Sequence, residues 1–190
     1  MTNALVTRTT YEEYRALERA SATKHEFVAG EIFAMAGGTY DHSTIAANVL
    51  AGLHVALRGS GCSPLTSDMR IRTGDDVGAY PDVSVACGER RFSDDARDEL
   101  LNPTVLVEVL SPSTEAYDRG EKFRHYETIA SLREYVLVST ATRRVEVFTR
   151  RAEGEGRGWL LQSFSAGERA ELSSLGVTLA VDALYEGATL

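Results

Sequence analysis

The segment Val105-Leu106-Val107-Glu108-Val109-Leu110 leaves few folds open. It is apolar at odd and even positions alike, the pattern of a β-strand covered on both faces and therefore central in its sheet. Val105, Val107 and Val109 point to one side, and Leu106, Glu108 and Leu110 to the other. A carboxylate between two leucines there costs on the order of several kcal/mol unless it is paired, protonated or bound to a metal. A second strand signal, Tyr80-Pro81-Asp82-Val83-Ser84-Val85, carries Asp82 in a comparable place, with Pro81 suited to a strand's first position. If the two strands lie side by side, Asp82 and Glu108 form a pair of hard oxygen ligands suited to Mg²⁺ or Mn²⁺. A buried salt bridge for Glu108 and a Pro-Asp turn for Asp82 are the competing readings.

The remaining pattern predicts the elements around this pair. Thr10-x-x-Glu13 reads as a capping box opening a helix with Tyr11, Tyr14, Leu17 and Ala20 on one face. His25–Val28 and Glu31–Met35 read as a hairpin turning at Ala29-Gly30. Asp41 or Ser43 opens a second helix, with Ile45, Ala46, Val49, Leu50, Leu53 and Leu57 as its apolar stripe. Leu65 to Arg72 alternates like one strand, and Ser93 to Leu100 reads as a loop or short helix. A helix over about Tyr117 to Ala130 precedes the apolar strand Glu134–Val138, so this strand and Val105–Leu110 form a parallel pair with a crossover. Val145–Phe148, Trp159–Gln162 and Ala170–Leu172 read as antiparallel strands. The expected fold is α/β (α+β): one domain over residues 1–190, a mixed β-sheet flanked by helices, with additional antiparallel strands.

Composition excludes several functions. With 43% apolar and 25% charged residues the chain is ordinary for a soluble protein, and no run approaches the ~18 apolar residues of a membrane span. Its N-terminus lacks the basic start and apolar core of a signal peptide. Cys62 and Cys87 are too few for a disulfide framework, so a cytoplasmic, reduced protein is expected. A net charge of −8 argues against holding nucleic acid by a general basic surface. It leaves a nucleic-acid enzyme open, because carboxylates around Mg²⁺ are neutralised in the loaded site. Arg70, Arg72 and the other paired arginines read as solvated surface. No Gly-x-Ser-x-Gly or His-Glu-x-x-His occurs, the histidines and cysteines lack zinc spacing, and Gly154–Gly158 reads as a hairpin loop.

A cation completes the candidate centre. Lys122 and Tyr126 share a helix face at i, i+4, and a helix packed over the end of the Glu108 strand could aim Lys122 at the carboxylates. Pro81-Asp82 with Glu108-x-Leu110 resembles the PD-(D/E)xK nuclease superfamily. More closely, the chain resembles the Uma-type family of restriction-endonuclease-like proteins. Lys24–Ile32, Tyr80–Val85, Val107–Thr114, Asp118–Phe123 and Leu132–Val138 carry this likeness. The resemblance implies Mg²⁺-dependent (or Mn²⁺-dependent) hydrolysis of DNA, with Asp82, Glu108 and the Val109 carbonyl as metal ligands. It also implies a homodimer, since cutting both strands needs two sites. The superfamily's lysine normally lies two residues after the acid, where this chain has Leu110; the Uma-type resemblance implies Lys122 as a migrated replacement. Glu26, His42 and Asp68 are further candidates for the same centre, and Tyr126 is a neighbour. Leu110 also leaves a second reading open, an inactive nuclease-like module that binds nucleic acid or protein.

Overall fold

The structure is a computed structural model and describes residues 8–74, 77–152, 154 and 156–190. The N-terminal segment and part of the Gly154–Gly158 loop lie outside these. A six-stranded mixed sheet holds Glu108 and Val109, in the order β11-β10-β9-β8-β6-β3. Its strands are β3 (Cys62–Thr66), β6 (Val83–Cys87), β8 (Val105–Leu110), β9 (Glu134–Ser139), β10 (Arg144–Arg150) and β11 (Trp159–Ser165). A five-stranded sheet runs β2-β1-β5-β4-β7, from β1 (His25–Val28), β2 (Glu31–Ala34), β4 (Arg70–Thr73), β5 (Val77–Ala79) and β7 (Glu99–Leu100). β12 (Arg169–Leu172) and β13 (Val177–Ala180) form a separate pair.

β8 is central, as its two apolar faces require. It pairs antiparallel with β6 and parallel with β9. Val105, Val107 and Val109 pack in a cluster with Ile45, Val49 and Leu53 of α2 (Tyr40–Ala56). Leu106 and Leu110 pack on the other side with Tyr126, Leu132 and Tyr135. At roughly 1.5–3 kcal/mol per fully buried aliphatic side chain, these two faces hold β8 in place. Glu108 therefore emerges on the leucine face, against the crossover helix.

Local rules account for the other elements. α1 (Tyr11–Ala20) opens on the expected capping box, Thr10 with Glu13. α2 starts earlier than expected: Thr39, not Asp41 or Ser43, caps it by accepting from the His42 N–H. The strand expected over Leu65–Arg72 is two strands in different sheets. Thr66 turns the chain, its carbonyl accepting from the Met69 N–H and its hydroxyl from the Asp68 N–H. The Ser93–Leu100 stretch ends in β7, which pairs parallel with β4. Glu99 there is fully buried against Arg70, so Arg70 is core and not solvated surface.

The crossover is shorter and less regular than a helix over 117–130. It comprises α3 (Glu115–Tyr117), a π-helical turn (Asp118–Lys122) and α4 (Phe123–Tyr126). The last helix, α5 (Val181–Leu184), buries Val181 and Leu184. The two cysteines are joined, Cys62 to Cys87, across the directly paired positions of β3 and β6. This overturns the expectation of reduced thiols. Even two cysteines suffice when strand register sets them opposite each other. Among the described residues no helix is long and apolar enough to cross a membrane.

Candidate active site

Extending the β6–β8 register by one residue past Val83↔Val107 sets Asp82 opposite Glu108. Asp82 sits just before β6 and is fixed there: its Oδ2 accepts from the Val109 N–H at 2.7 Å. The same oxygen lies 3.3 Å from His42 Nε2. Asp82 raises the His42 pKa by this hydrogen bond, against the lowering effect of burial, with the Val109 backbone adding to the rise. Gly38 packs on the His42 ring, where an added Cβ would lie 2.7 Å from Nδ1.

Lys122 reaches Glu108 from the crossover. Its Nζ is 3.0 Å from Glu108 Oε1, 3.1 Å from Glu26 Oε1 and 3.7 Å from Asp118 Oδ1. Burial alone would lower the Lys122 pKa, but the carboxylates of Glu108, Glu26 and Asp118 outweigh it and hold the ammonium protonated. Burial pushes Glu108 well up, and the charges of Asp82, Asp118 and Glu26 add to this against the pull of Lys122. Asp118 is raised for the same first reason, its burial. Tyr126, itself fully buried, donates to Glu108 Oε1 at 3.0 Å. The π-helical turn sets Asp118 and Lys122 together on the buried side, and such turns recur at functional sites.

β1 supplies Glu26, whose Oε1 also accepts from the Tyr80 N–H. Tyr80 in turn donates to Glu18 of α1, and Glu18 holds the His25 N–H, so α1 anchors β1 beside the centre. Of the predicted residues, Asp82, Glu108, Val109, Lys122, Glu26 and His42 line one cleft of about 530 Å³, with Tyr126 behind it. Asp68 does not join them. Its side chain is 80% exposed and pairs with Lys24 at 2.5 Å, because the turn after β3 points it outward. Asp118 lines the cleft unpredicted; its spacing of i, i+4 from Lys122 was the available signal.

Glu26, Asp82, Glu108 and Asp118 thus surround one lysine and one histidine, leaving negative charge in surplus. Among the described residues no three His, Cys, Asp or Glu side chains are grouped to hold a metal by themselves. Two carboxylates with a main-chain carbonyl nonetheless suit Mg²⁺, which keeps several waters. Each key carboxylate also keeps an oxygen apart: Lys122 and Tyr126 contact Glu108 at Oε1, and His42 and Val109 contact Asp82 at Oδ2. The donor chemistry and the charge surplus fit a hard divalent cation.

A mixed sheet with this crossover recurs in a solved structure. The crystal structure of a "putative nuclease belonging to DUF820" from Anabaena variabilis superposes with a TM-score of 0.75 at 18% identity, covering 93% of this chain and 97% of that one. The Uma2 family model, described as "Putative restriction endonuclease", matches residues 11–182. The chain belongs to this family. Two uncharacterized Synechocystis proteins are similar along most of their length. One is 38% identical over 177 residues, 93% of this chain and 90% of the relative. The other is 34% identical over 164 residues, 86% of this chain and 90% of the relative.

Proposed function

We propose that the chain is a metal-dependent endonuclease that hydrolyses DNA phosphodiester bonds at the Asp82–Glu108–Lys122 centre. The observation that carries this is the buried Lys122 ammonium held between Glu108 and Glu26 at the floor of an open cleft. Burying several carboxylates around one cation is costly for stability alone. Asp82, Glu108 and the Val109 carbonyl would hold Mg²⁺ or Mn²⁺, which supplies Lewis-acid polarisation of the phosphate and lowers the pKa of water.

The residues themselves divide the remaining work. Lys122 keeps its proton, so it serves as a fixed positive charge that stabilises negative charge building on the phosphoryl oxygens. It stands where Leu110 cannot, since Leu110 is buried in the core. Tyr126, donating to Glu108 Oε1, and Asp118, beside Lys122, orient those two groups. His42 and the Val109 N–H fix the Asp82 carboxylate.

The test is nicking of supercoiled plasmid with Mg²⁺ or Mn²⁺ beside Asp82→Ala, Glu108→Ala and Lys122→Ala. Metal-dependent nicking lost in all three supports the enzyme; no nicking by the folded wild type under either metal supports an inactive module instead. Acting on both strands of a duplex would call for a homodimer, which sedimentation of the purified chain would reveal.

A further inference from the structure

We infer that Phe33 is the stacking surface of a nucleobase subsite beside the carboxylate–lysine centre, and that the substrate is therefore single-stranded or locally unpaired DNA. The inference rests on the nuclease reading for its ligand class and goes beyond it in naming the form of the substrate.

Strand register makes the first argument. In the β1–β2 hairpin Phe33 is directly opposite Glu26, and Ile32 opposite Phe27. Directly paired residues share a face of the sheet. Phe27 is buried with Tyr11 and Tyr14, and Ile32 packs on that cluster. Glu26 and Phe33 therefore share the other face, the one on which Glu26 meets Lys122. Phe33 lines the cleft and is 50% exposed there. Isolated exposed apolar residues are common on proteins, but this ring stands on the wall of the cleft that ends in the proposed centre. The chain continues that wall through Ala34, Met35 and Ala36.

The cleft thus has a carboxylate floor with one ammonium and a wall whose most exposed aromatic ring is Phe33, ahead of the part-buried Tyr117 and the buried Tyr80. A nucleotide has matching halves, a phosphate for the metal-loaded floor and a flat base for the ring. The volume, about 530 Å³, lies within the range of pockets that enclose small ligands.

Charge supplies the second argument. Among the described residues lining the cleft, Lys122 is the one Lys or Arg, and it is buried against carboxylates. Lys24, in the adjoining groove, is paired with Asp68. A duplex keeps its bases stacked inside and is held mainly by clustered cations on its phosphates. A single strand offers its bases to aromatic side chains, and that contact is tolerant of sequence.

The test is equilibrium binding in Ca²⁺, read by anisotropy of a short labelled oligothymidylate and of a duplex of the same length. Wild type, Phe33→Ala, Phe33→Leu and Phe33→Trp are compared after circular dichroism verifies the fold. The wild type should bind the single strand more tightly than the duplex, and Phe33→Ala and Phe33→Leu should weaken it about tenfold, the scale of one lost stacking contact. Phe33→Trp should bind like wild type, with Trp fluorescence quenched by the stacked base above the Trp159 background. Equal affinity for both forms, no single-strand binding, or a Phe33→Ala affinity within about twofold of wild type would overturn the subsite. The plasmid assay separates the two readings. Nicking without Phe33 dependence leaves the nuclease and removes the subsite, while Phe33-dependent binding without cleavage does the reverse.

Discussion

Lys122 Nζ lies 3.0 Å from Glu108 Oε1, joining the crossover to the central strand through a buried ion pair. Its cost and its use separate in a single substitution. Lys122→Met leaves Glu108, Glu26 and Asp118 without their cation, and breaking such a buried pair costs about 3–5 kcal/mol. Nicking should fall about 100-fold or more, the scale of one lost charge-stabilising donor. Chemical denaturation and plasmid nicking check the two halves, and added Mg²⁺ should recover stability without recovering activity.

Gly38 and Gly37 differ in what a methyl group would meet. At Gly38 it would press on the His42 ring, whereas at Gly37 nothing lies within 4 Å. Gly38→Ala should displace His42 from Asp82 and slow nicking about 10- to 100-fold, as small misplacements at reacting centres do. Gly37→Ala should leave nicking near wild type. Single-turnover rates under saturating metal distinguish the pair.

The pH dependence of stability follows from groups whose pKa is raised on folding. Glu108 and Asp118 are raised chiefly by burial, and His42 chiefly by its hydrogen bond to Asp82. Each contributes stability that is complete below its unfolded pKa and lost as pH rises through its folded one. Metal-free protein should therefore lose stability from these groups as pH climbs from about 5 toward 8. Divalent metal should stabilise it more at the upper end, where the carboxylates are ionised. Thermal melts with and without Mg²⁺ across this range provide the check; a metal effect that shrinks with rising pH contradicts it.

Asp68 should prove dispensable. Its exposed pair with Lys24 is of a kind worth about 0–1 kcal/mol. Asp68→Ala should change nicking by less than about twofold and stability by no more than that pair.

The two carboxylates were legible because each interrupts a strand signal, but the β6–β8 register that sets them opposite each other is seen only in the structure. Lys122 was legible from its helix face and the family pattern. Asp118 was missed although it stands at i, i+4 from Lys122, because a helix carboxylate at that spacing reads equally well as a solvated one. The split of Leu65–Arg72 into β3 and β4 was hidden because alternation persists through the Thr66 turn. The burial of Arg70 depends on Glu99, brought beside it by a strand of only two residues, too short to leave a periodic signal. The Cys62–Cys87 pairing depends on the β3–β6 register, which spacing along the chain does not reveal.

Asp82, Glu108 and Lys122 are proposed to form one metal-dependent hydrolytic centre. Nicking of supercoiled plasmid by the wild type and Asp82→Asn, titrated with Mn²⁺, tests it most directly. Wild-type nicking should require metal and be abolished by chelator, with Asp82→Asn, folded to the wild-type melting profile, inactive at every Mn²⁺ concentration. Equal metal-dependent nicking by folded Asp82→Asn, or none by the wild type, would contradict it.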